Sequence, residues 1–144
     1  MSAWIKMLSN QEASENLTNL FNLVKTPHGT VDNVMRIHSL RPNTMKGHYT
    51  LYNSVLHDEE NCIPTWLQET ISSYVSILNN CEYSFANHWK NAEYLINDKK
   101  KSNLILKALE KKKLKSFFSG KELALLNYAE KLTLYPKKNG KIRC

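Results

Sequence analysis

ETISSYVSILNNCEYSFANH, residues 69–88, is the most informative segment of this 144-residue chain. Leu67, Ile71, Tyr74, Val75 and Leu78 recur at i, i+4, i+7, i+8 and i+11, which is one face of an α-helix. Glu69, Ser73, Ser76 and Asn80 fall on the other side. Asn79-Asn80 breaks the pattern. A second helix is predicted from Cys81, or just after it, to about Asn97, packing through Phe85, Trp89, Ala92 and Ile96. A break this short lets the two helices fold back as a hairpin.

Outward from this hairpin the helical reading continues. Thr65 and Gln68 stand at capping-box spacing before the first of the two helices, just after Pro64. Upstream, Ser9 and Glu12 form another such pair, so a helix is predicted from about residue 10 to Lys25 with Leu17, Leu20, Phe21 and Val24 inward. Thr26-Pro27-His28-Gly29 is a breaker cluster, after which Thr30 caps a short helix carrying Val31, Val34 and Met35. Pro42 opens a helix over 42–57, with Met45, His48, Tyr49, Tyr52 and Leu56 on one side. Downstream, helices are predicted over 103–116 and from Ser119-Gly120-Lys121-Glu122 to Pro136. The latter carries Leu123, Leu126, Ala129 and Leu132. The expectation is an all-α bundle of six to seven helices, one domain over 1–144 with a loose basic tail from about 137.

Composition narrows the functional classes. No apolar run reaches the roughly 18–20 residues of a membrane helix, and the N-terminus does not read as a signal peptide. The expectation is a cytoplasmic protein without membrane partners. Three cysteines, Cys62, Cys81 and Cys144, are an odd set with no close pair and fit a reducing compartment. The net charge of +7 is uneven: residues 1–98 balance to −4 and residues 99–144 to +11. Arg143 is the one arginine in the basic part, and no zinc-finger spacing or RNA-binding signature accompanies the lysines. They read as a solvated helix face, not a nucleic-acid surface. His28 and His57 fall in loops, and His38 and His48 lack a close Cys, Asp or second His at metal-ligand spacing, so no metal site is expected.

The chemistry concentrates in the hairpin. A cysteine in the first turn of a helix meets unpaired N–H groups and the positive end of the dipole, both of which favour the thiolate. Cys81 is placed for this, and Ser84 and His88, at i+3 and i+7, share its face. His88 is positioned to exchange a proton with Cys81, directly or through Ser84, and Glu69 on the facing helix to orient His88. Spacing alone leaves the ordinary alternative open: a buried, inert cysteine beside a structural histidine.

These residues carry a resemblance. Glu69, then VSILNNCEYS (75–84) and His88, resemble the signature of the carboxymuconolactone decarboxylase / AhpD-like superfamily, in its peroxidase-related (alkylhydroperoxidase-like) branch. VDNVMRIHSLRP (31–42) and KELALLNYAEKLTLYP (121–136) are similar to that branch too, so the resemblance spans about residues 11–136. It implies an all-helical homo-oligomer (dimer, trimer or hexamer) that reduces hydroperoxides with a thiol reductant and without metal or organic cofactor. It also implies Cys81 as first cysteine of a Cys-x-x-Cys pair, with His88 and Glu69 as proton relay. The second cysteine is replaced by Ser84, whose hydroxyl cannot form a disulfide. The expectation is a one-cysteine peroxidase of reduced or absent activity, or a non-catalytic oligomeric protein keeping only the fold. Cys62 and Cys144 can resolve Cys81 only if their Cα atoms come within about 7 Å. Two further readings are a thiol-free decarboxylase using His88 and Glu69, and nucleic-acid binding by the basic third.

Overall fold

The computed structural model describes residues 3–26 and 29–138. Among them there are seven α-helices, two 3₁₀ turns and no strand, so the chain is all-α as its periodicity predicts. None of these helices is long and apolar enough to cross a membrane. The chain divides into two compact units, Met1–Asn61 and Cys62–Cys144. The predicted loose tail from 137, His28 and Cys144 lie wholly or largely outside the described residues.

The first unit holds α1 (Glu15–Leu23), α2 (Asn33–Arg36) and α3 (Pro42–Leu56). Leu17, Phe21, Val24, Met35 and Met45 form its core. The Ser9–Glu12 box does close: Ser9 N–H donates to the Glu12 carboxylate at 2.9 Å and Glu12 N–H to Ser9 Oγ at 3.3 Å. It does not start the helix predicted near residue 10. Ser14 Oγ accepts from Leu17 N–H and takes the N-cap instead, so α1 begins at Glu15. Arg36 holds the preceding segment down. Its guanidinium donates to Leu8 C=O and to Asn10 Oδ1, each at 2.9 Å, and lies 4.5 Å over the Phe21 ring.

The second unit holds α4 (Thr65–Leu78), α5 (Glu82–Ile96), α6 (Lys99–Glu110), a 3₁₀ turn at Leu114–Ser116, and α7 (Gly120–Leu134). The helix α4 packs against α5, α6 and α7. Around it lie Leu67, Tyr74, Leu78, Ile105, Ala108, Leu109, Leu114, Phe118 and Leu126. The predicted polar side of α4 is not a solvent face. Of its members Glu69, Ser73 and Ser76 are buried, as are Gln68 and Thr70 beside them, and Asn80 past the helix end is exposed. The hydroxyls of Thr70, Ser73 and Ser76 satisfy themselves on carbonyls one turn back, at 2.7 Å, which lets short polar side chains sit inside a bundle.

Boundaries in the second unit also depart from the sequence reading. Gln68 does not cap its helix reciprocally with Thr65; its amide donates to Ile63 C=O at 2.7 Å. The helix α6 starts at Lys99, not 103, because the Asp98 carboxylate caps Lys101 N–H at 3.0 Å. It stops at Glu110, and the predicted extension to 116 becomes the 3₁₀ turn. Both α4 and α6 close in Schellman motifs. Cys81 N–H donates to Ser76 C=O, and Lys113 N–H to Ala108 C=O, each at 2.9 Å. The left-handed positions are Asn80 (φ 53°) and Lys112 (φ 51°) rather than glycine.

Candidate active site

The Schellman turn of α4 runs directly into α5, and Cys81 belongs to both. Its N–H closes the first helix and its C=O accepts from Phe85 N–H at 3.0 Å to begin the second. The backbone of Cys81 is thus fixed on both sides, while its side chain is exposed. The predicted helix start at or just after Cys81 is where α5 begins, with Cys81 as N-cap residue.

Below this corner, polar rungs cross from α4 to α5. Ser76 Oγ and Ser84 Oγ are 2.8 Å apart. Ser76 already donates its one proton to Ser72 C=O at 2.7 Å. Ser84 is therefore the donor, and its remaining capacity is as an acceptor. One rung further in, Glu69 Oε2 lies 2.7 Å from His88 Nδ1. The Glu69 side chain is 3% exposed and that of His88 28%. A carboxylate accepts only, so Nδ1 carries the proton and Nε2 is the nitrogen left to gain or lose one. Asn91 Nδ2 donates to the other Glu69 oxygen at 3.3 Å. Both oxygens of a buried carboxylate are thereby occupied.

The four residues singled out from the sequence are thus distributed as follows. Glu69 and His88 are brought into direct contact. Ser84 faces the same helix but bonds to Ser76. Cys81 sits exposed at the head of α5, and among the described residues its sulfur makes no hydrogen bond. Cys62 is exposed as well. Asn91 and Ser76 had no predicted role. Asn91 lies one turn past His88, and Ser76 two turns past Glu69, so helical spacing places each beside a residue already chosen. A cleft of about 470 Å³ in this unit, lined by Lys112, Lys113, Lys115 and Glu130 among others, contains none of the four.

What this arrangement can do chemically is limited and definite. A buried carboxylate holds an imidazole in one tautomer with its second nitrogen outward, on the helix whose first turn presents a thiol. No family model matches this chain, and no curated protein matches it.

Proposed function

We propose that this protein is a thiol-dependent antioxidant of the alkylhydroperoxidase-like, peroxidase-related kind, working with one cysteine. The observation that carries the reading is the 2.7 Å Glu69–His88 contact on the helix that Cys81 opens. The resemblance of residues 69–88 to the AhpD-like signature supports it, and we extend it to a homo-oligomer in the cytoplasm, where thiol reductants are abundant.

In this scheme the Cys81 thiolate attacks one oxygen of a small hydroperoxide. The S–O bond forms as the O–O bond breaks. The alkoxide leaves as the alcohol by taking a proton from protonated His88, and Cys81 becomes a sulfenic acid. Glu69 keeps the ring oriented. Ser84 takes no electrons. An external thiol then displaces water from the sulfenic acid to give a mixed disulfide. A second external thiol releases Cys81 as the thiol and leaves as a disulfide with the first.

One observation favours a second reading, a non-catalytic helical protein that keeps only the fold. The Ser84 proton is committed to Ser76, and the Cys81 sulfur has no hydrogen-bond partner among the described residues. Mass spectrometry after a substoichiometric dose of hydroperoxide separates the two. The catalytic reading expects a single oxygen on Cys81, converted to a mixed disulfide by added thiol, with Cys62 and Cys144 unmodified. Equal oxidation of the exposed Cys62, or none of Cys81, rejects it. The Ser84→Cys variant sharpens the answer: on the catalytic reading Cys81 forms a disulfide with the introduced thiol, and the variant turns over peroxide faster than the wild type.

A further inference from the structure

The first unit contains a pair of histidines that sequence spacing did not bring together. His38 lies in the turn that follows α2, and His48 lies on α3. His38 Nε2 is 3.0 Å from His48 Nδ1, with the two rings edge to face at 5.1 Å between centroids. His38 Nδ1 is 2.9 Å from Thr44 Oγ1.

The proton positions follow from Thr44. Its hydroxyl donates to Arg41 C=O at 2.8 Å, so Thr44 Oγ1 accepts from His38 Nδ1–H. Neutral His38 then has a bare Nε2, and His48 Nδ1–H must be the donor to it. One added proton is tolerated. It adds to Nε2 of His48, whose Nδ1–H goes on donating to the bare Nε2 of His38. A second proton is not tolerated. Both facing nitrogens then carry hydrogen, and two imidazolium rings oppose each other across 3.0 Å.

The same corner holds the N-terminal segment. Ser39, next to His38 and 2% exposed, accepts Leu8 N–H on its hydroxyl at 2.9 Å. Arg36, two residues before His38, holds Leu8 C=O and Asn10. We propose that His38 and His48 form an acid-sensitive latch. It keeps the segment around Leu8 seated on the first unit at neutral pH and releases it once both rings are charged.

The charged neighbours leave the pair to itself. On α2 and its cap are Asp32 and Arg36, before and on α3 are Arg41 and Lys46, and on α1 is Glu15. None of these makes an ion pair with either ring among the described residues. Burial first, and then the charge of His48, hold the His38 imidazole below the ordinary histidine value of 6.5. The unfolded chain therefore binds more protons than the folded one in mild acid. The contribution of the latch is complete above 6.5 and is lost as the pH falls below it.

The test uses the full chain and two readouts. Imidazole nitrogen shifts at neutral pH are expected to show both His38 and His48 as Nδ1–H tautomers; the opposite tautomer on either ring overturns the latch, with no variant needed. Amide exchange at Leu8, corrected for intrinsic rates, is expected to lose protection by about tenfold or more between about pH 7.5 and about pH 5. In His48→Gln, a neutral amide can bond His38 in either state, so Leu8 is expected to stay protected. Unchanged protection in the wild type, or equal loss in the variant, overturns the proposal.

Discussion

The two units bury polar groups on very different terms. Among the described residues of the first unit Ser39 is the one buried polar side chain, whereas the second buries Gln68, Glu69, Thr70, Ser73, Ser76 and Ser102. Their histidine contacts differ in the same way. His38 meets another imidazole at a turn, and His88 meets a carboxylate inside a helix hairpin. A pair of imidazoles can satisfy each other only while at most one is charged. A carboxylate fixes which nitrogen holds the proton and leaves the other outward. The first arrangement suits a response to acid, and the second suits a group that must stay oriented while its outer nitrogen exchanges protons.

The comparison breaks most readily at Glu69. Glu69→Ala leaves His88 Nδ1–H and the Asn91 amide without their buried acceptor. We expect a loss of about 3 kcal/mol, the low end for breaking a buried pair, because 28% of the His88 side chain remains in water. Urea denaturation measures it, and a loss under about 1 kcal/mol would mean the hairpin does not depend on this rung. On the proposed function, peroxide-driven oxidation of Cys81 slows in the same variant.

A smaller effect is expected at Tyr74, whose phenol donates to Glu130 at 2.7 Å and ties α4 to α7. Tyr74→Phe is expected to cost about 1–2 kcal/mol. Burial, and then the Glu130 carboxylate, push this phenol well above the ordinary tyrosine value of 10.0. Spectrophotometric titration near pH 10 should therefore show equal amplitude in wild type and variant. A smaller amplitude in the variant would mean that Tyr74 reaches water.

The smallest effect is expected at Glu12, in the first unit. Ser9 N–H, and then Lys6, hold its carboxyl at about 2, down from 4.5. Its contribution is present above 4.5 and is lost as the pH falls through about 2. Because the carboxylate is exposed, solvent screens the gain. In Glu12→Gln the melting temperature at neutral pH should fall only slightly, and the gap to wild type should close in acid. A gap that widens in acid would reverse the assigned sign.

Much of this was legible in the sequence. The spacing of Leu67, Tyr74 and Leu78 located α4, and Asn79-Asn80 located the turn, because helical periodicity and breakers act locally. The same local logic placed Glu69 and His88 on facing sides of one hairpin. What it missed depends on the third dimension. Ser73 and Ser76 fall on the side away from the apolar stripe, yet they are buried because α4 is covered on several sides and their hydroxyls bond within their own helix. Asp98 lies ahead of the helix predicted from 103; its cap outweighs the three lysines that follow it and oppose the helix dipole, so α6 starts at Lys99. Ser119 and Glu122 stand at capping-box spacing, but the Ser119 side chain makes no cap bond. His38 and His48, ten residues apart, meet only because the turn after α2 folds back onto α3.

The left-handed lysine that ends α6 has a consequence for how this protein would be cut. Lys111, Lys112 and Lys113 are all exposed, and Lys112 holds a backbone conformation that a residue with a Cβ adopts at a cost. A protease that cleaves after lysine meets three consecutive sites on a turn that gains by unwinding. A cut there falls between α6 and α7.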